Sequence, residues 1–223
     1  MRPVPILLAV LALPLMAACN QVYTRQPLIS EAHEGGDPEF RPGLWSITGY
    51  NEDCKADLRK PLRDWPDCAV GLEFRRGQLF LVSAHQRLFA QTLRFVAETQ
   101  EGGAPILVQG HWQTAVLADP RAPEPKDTDN PFYGWTYYAV TPGTRADQSG
   151  RMMEAIMTVA LCGPLPAAQP NRASPKVTAR PFSGLTVVRD ACQAKDLDAV
   201  RRALIISTGL EETHLLKWVR DDP

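Results

Sequence analysis

Short apolar runs, each broken within a few residues by glycine, proline or charge, set the tightest limit on what this chain can fold into. Strand-sized runs lie at 43–50, 69–75, 78–84, 87–96, 104–110, 112–118, 132–140 and 152–162, with a further one at 184–189. Arg76-Gly77 separates the second from the third, and Glu101-Gly102-Gly103 precedes the fifth. Breaks of that size suit antiparallel hairpins, since a parallel crossover needs a dozen residues or more. The twenty prolines point the same way, because they fall between the apolar stretches and would interrupt long helices.

Alternation is cleanest late in the series. Met153, Ala155, Met157, Val159 and Leu161 share one face, and Glu154, Ile156, Thr158 and Ala160 share the other. The second face is only partly polar, which predicts burial on both sides near the centre of a sheet. The run at 87–96 reads as a strand, although Leu88, Phe89, Leu93 and Val96 also fit one side of a helix. After 184–189 the period changes. Asp196 is an N-cap for a helix carrying Leu197, Val200, Leu204 and Ile205 on one side, ending near Gly209, and His214 to Arg220 returns to a strand pattern. The fold class is therefore mainly β: an antiparallel barrel, roll or sandwich of about eight or more strands, with one C-terminal helix followed by a short final strand.

Five cysteines are present. Setting Cys19 aside leaves an even set, Cys54, Cys68, Cys162 and Cys192, that predicts two disulfides in an oxidising compartment. Three connectivities are open, and closeness along the chain favours Cys54 with Cys68 and Cys162 with Cys192. Trp65-Pro66 is expected to pack over the first bridge. Structural zinc is the rival use of four thiols, but there is no CxxC pair, and His33, His85, His111 and His214 are scattered without ligand spacing. No metal and no cofactor are expected.

The beginning of the chain has the layout of an export signal: cationic Met1-Arg2, an apolar segment at 3–15, then small residues. The apolar segment is too short to span a bilayer, which takes about 20 such residues. Leu15-Met16-Ala17-Ala18-Cys19 resembles the lipobox of bacterial lipoproteins. The resemblance implies cleavage before Cys19, attachment of acyl chains such as palmitate to that cysteine, and a lipid bilayer as partner. Cleavage after Ala18 as an ordinary signal peptide is the alternative. By analogy with lipoprotein sorting, Asn20 in the second mature position favours the outer membrane, facing the periplasm, over the outer leaflet of the inner membrane. The domain reading is a signal peptide at 1–18, a lipidated flexible tether at 19–42 and a single β-rich periplasmic domain at 43–223.

Gly43-Leu44-Trp45, in the first strand of that domain, resembles the GxW motif of lipocalins. The resemblance implies an eight-stranded up-and-down barrel followed by a helix and a short strand. It also implies an arginine from the end of the last barrel strand packed on Trp45, a position that Arg189 could match. A different β roll or sandwich with a C-terminal helix remains open.

Between two of the runs, Asp119, Glu124, Asp127 and Asp129 lie among prolines, followed by Phe132, Tyr133, Trp135, Tyr137 and Tyr138. Asp119, Asp127, Asp129 and Tyr133 form the candidate binding surface, set against the reading of a solvated loop beside a core strand. Calcium is not expected there, because Phe132 and Tyr138 stand where a calcium loop has glycine and glutamate. No GxSxG, HExxH, GxGxxG or phosphate-loop pattern occurs, so no catalytic residues are assigned. A net charge of -1 without a basic block excludes nucleic acid as a natural partner. The expected function is a non-enzymatic, lipid-anchored envelope protein that binds a protein or envelope component through a disulfide-braced β domain. The alternative is a lipocalin-like carrier of a lipid or small apolar ligand.

Overall fold

The structure, a computed structural model, describes residues 20–29, 39–48, 54–75, 78–84, 87–96, 105–113, 134–164, 177–188, 191–210 and 214–221. Eleven strands belong to one sheet: β1 Val22–Thr24, β2 Gly43–Thr48, β3 Val70–Arg75, β4 Gln78–Ser83, β5 Arg87–Val96, β6 Ile106–Gln113, β7 Trp135–Pro142, β8 Glu154–Val159, β9 Leu185–Val188, β10 Ala191–Ala194 and β11 His214–Arg220. One helix, α1 at Leu197–Ser207, joins β10 to β11.

From β2 to β8 each strand pairs antiparallel with the next, as turn-sized breaks between alternating runs demand. β11 then enters antiparallel between β8 and β2. Since β6 pairs with both β5 and β7, the sheet rolls back on itself and eight strands surround one interior. Period-two alternation sends Trp45, Leu72, Phe74, Leu81, Val108, Val140, Ala155 and Leu216 into it. Phe40, just before β2, makes a parallel bridge to Met152 and stacks on Phe74 at 4.1 Å between ring centroids. It meets Trp45 edge-on, closing the interior at that end with aromatic carbon. The Trp45 indole N–H, otherwise an unpaired donor in an apolar core, donates to the Arg41 carbonyl at 2.9 Å.

Two further apolar layers cover the outside of the roll. Residues 54–68, closed by Cys54–Cys68, lie over β2 to β4 and bury Leu44, Trp65, Ala69 and Val82. Gly71 lets the Trp65 ring approach β3, because a Cβ there would sit 3.1 Å from the indole. On another side, α1 packs across β7, β8 and β10, burying Ala199, Val200, Ala203 and Leu204 against Tyr137, Ala139 and Ala160. Asp196 caps the helix by accepting from the Ala199 N–H at 2.8 Å, which holds its carboxyl below the usual carboxylate range. Cys162–Cys192 ties the segment after β8 to β10 within this layer.

Two expectations change. First, the fold includes residues placed in the tether: β1 pairs with β7 and with β10, and Asn20, Val22, Ile29 and Phe40 are buried. Polarity at 20–29 signals buried hydrogen bonds rather than solvation. Second, no break separates 104–110 from 112–113: β6 continues through His111, which pairs with Thr92 and Trp135, and residues 114–118 lie outside the described residues. The strand expected at 87–96 is present, with both its edges taken by β4 and β6.

Gly43 has φ of 121°, and a Cβ there would collide with the Arg220 carbonyl. Gly43→Ala is expected to destabilise by more than about 2 kcal/mol in denaturant unfolding. Replacing either cysteine pair by alanine should cost about 3 kcal/mol in the same measurement, through loops of 14 and 30 residues.

Candidate functional site

Asn20 opens the described chain, fully buried at 0% exposure. Its amide N–H donates to the Gly163 carbonyl at 2.9 Å, and its side-chain oxygen accepts from the Thr178 N–H at 3.1 Å. Its own carbonyl accepts from the Cys162 N–H at 2.6 Å. One side chain thus joins the start of the folded chain to the strand end after β8 and to the segment at 177–182. Gln21 continues the junction as an antiparallel bridge to Leu161, whose N–H donates to the Ser207 hydroxyl of α1 at 2.9 Å.

The residues that follow are clamped by buried polar groups from β6 and β7. Gln109 accepts from the Leu28 and Ile29 N–H groups at 2.9 and 3.1 Å. The Tyr137 hydroxyl lies 2.6 Å from that of Thr24. Burial pushes the Tyr137 hydroxyl up to about 12, against the lowering effect of its bonds to Thr24 and Leu28. Unpaired, such groups would each cost roughly 1–3 kcal/mol. Paired, they fix residues 20–29 on the domain.

Around this junction the surface is apolar at one place. Ile205 and Ile206 of α1 and Leu210 just beyond it are exposed, Ile205 to 63%. Ser207, which faces the junction, lies between them. The opposite end of the roll differs: there the Arg41 guanidinium lies 3.7 Å over the Trp218 ring and pairs with Asp221 at 2.8 Å. The Trp218 indole N–H donates to the Pro42 carbonyl. This corner offers an aromatic face, a cation and an exposed carboxylate, the groups from which polar recognition surfaces are built.

The disulfide cysteines form the pairs that chain proximity favours, with Cα separations of 5.8 and 5.4 Å. Cys19, Asp119, Asp127, Asp129 and Tyr133 lie outside the described residues, as do His33, His85 and Arg189. The strands flanking the acidic loop, β6 and β7, end and begin at the same end of the roll as the Asn20 junction. Arg189 follows β9, which pairs with β10 at the sheet's far edge; the neighbours of β2 are β3 and β11, so the arginine resting on a tryptophan beside Trp45 is Arg41 on Trp218. The His111 ring packs at 4.6 Å from Trp135, and His214 opens β11. Among the described residues no three His, Cys, Asp or Glu side chains gather as a metal site would require. Missed by sequence reasoning were the clamp of Asn20, Gln109 and Tyr137 and the Arg41–Trp218 corner. A glutamine amid the apolar residues of β6 was the available signal for the former.

Comparison with known proteins finds no matching family model, no matching curated protein and no matching solved structure.

The raised Tyr137 value carries a pH dependence. Between pH 10 and 12 the unfolded tyrosine has ionised while the folded one holds its proton. Its contribution is thus complete below pH 10 and declines as pH rises to 12, by about 3 kcal/mol in total. Unfolding measured across that window should show the decline, and Tyr137→Phe should abolish this part of it.

Proposed function

We propose that this chain is a lipid-anchored envelope protein that binds a protein or envelope component through the outside of its domain, and does not transform it. The observation that carries the reading is the packed aromatic core at one end of the roll's interior. Trp45, Phe74 and Phe40 pack together there with Leu72, Val108, Val140 and Leu216, so at that end the apolar surface that a carrier would offer to a lipid is used as core. Binding is then left to surfaces such as the Arg41, Trp218 and Asp221 corner. Two disulfides support an oxidising compartment, consistent with the export signal and lipobox-like segment before Asn20. Among the described residues no helix is long and apolar enough to cross a membrane. Attachment through Cys19, with the outer membrane as destination and the periplasm as the space faced, completes the reading.

Intact mass on protein extracted from a Gram-negative host's membranes tests it. The expected species begins at Cys19, carries acyl chains and is lighter by four hydrogens for two bridges. Cys19→Ser should remove the acyl mass and release the chain from the membrane fraction. A native spectrum of that variant showing a lipid that leaves on denaturation would instead select the carrier.

A further inference from the structure

We propose that the C-terminal end of α1 is a membrane-contacting foot, which seats the domain directly on the lipid surface beside the acylated cysteine. The proposal rests on the lipid-anchor reading of Cys19 and adds an orientation to it. Asn20 is wholly buried and hydrogen-bonded on three sides, so no tether separates the acyl-bearing residue from the folded domain. Adjacent Cα atoms are about 3.8 Å apart, which brings the acyl attachment, and with it the bilayer, to the Asn20 surface.

What lies at that surface is the exposed apolar end of the helix. From Asn20 the connection runs through neighbouring contacts: Gln21 bridges Leu161, Leu161 donates to Ser207, and Ser207 accepts from the Leu210 N–H. Among the described residues Ile205, Ile206 and Leu210 are the exposed apolar side chains near that point. Apolar side chains near a basic one suit the boundary between headgroups and acyl chains, and exposed Arg180 supplies that charge two residues after Thr178, which bonds Asn20. The geometry also assigns the far end. Gln21, Leu161 and the entry to β11 share one end of the roll, whereas Phe40, Arg41 and Asp221 occupy the other and are turned away from the lipid.

Hydrogen exchange on the full acylated protein, bound to vesicles of phosphatidylethanolamine and phosphatidylglycerol, tests the foot against the Cys19→Ser protein in solution. The amides at 204–210 are expected to exchange about tenfold more slowly on vesicles, with the residues around Arg41 unchanged. Acylated protein carrying Ile205→Glu and Ile206→Glu, both at exposed positions, should remain vesicle-bound through its acyl chains yet lose that protection. Acylated, vesicle-bound protein with unprotected 204–210 would overturn the foot alone. Absence of acyl mass on Cys19 would overturn it together with the anchor. Protection in the Cys19→Ser protein that grows with protein concentration would assign the apolar end to self-association and overturn the proposal.

Discussion

The insertion of β11 between β8 and β2 is the interaction on which the rest of the domain depends. It pairs Leu216 with Ala155 on one side and with Ile47 on the other, and sets Trp218 opposite Trp45. Without it both neighbouring strands would present unpaired edges, and the apolar interior would open to water between them. The strand is the last element of the chain, reached only after α1 has crossed the outside of β7 and β8. The helix therefore serves as the connection that lets the meander be completed as well as a cover for its outer face.

A rolled sheet has two faces, and here parts of both are apolar. The described inner face packs on itself around Trp45 and Phe74. Among the described residues the outer face is covered by residues 54–68 over Leu44 and Val82 and by α1 with the β9–β10 ribbon over Tyr137 and Ala160. Each outer layer contains one disulfide. Thin layers of this kind bury little surface of their own, and cross-linking limits the entropy they would gain by detaching. Within β8 the position of the cover decides burial: Thr158 is buried beneath it, whereas Ile156, two residues earlier on the same face, is exposed.

Local pattern was sufficient for most strands, for the Asp196 cap and for both disulfide pairs, because period, capping chemistry and loop length all act over short stretches of chain. It failed at 20–29, where a polar composition resembles a solvated linker. Asn20 and Thr24 are polar because they answer buried donors and acceptors from Thr178, Gly163 and Tyr137, all more than a hundred residues away. β1 and β10, three and four residues long, are also too short to show a period, and pair because folding brings them together. Of the candidate binding residues, Asp119, Asp127, Asp129 and Tyr133 stand outside the described chain, and the Arg41–Trp218 corner joins residues from opposite ends of it.

The sequence by itself determined a β-rich domain with a late helix, a returning strand and two chain-local disulfides, since each follows from side-chain periodicity or proximity along the backbone. Tertiary structure alone decided that the sheet rolls around an apolar core, because that requires β11 to meet β2 across some 170 residues. It also decided that residues 20–29 belong to the fold and that the apolar end of α1 lies near Asn20. Such arrangements depend on hydrogen-bond partners and packing surfaces distant in the chain, and become defined only when the backbone has brought them into contact.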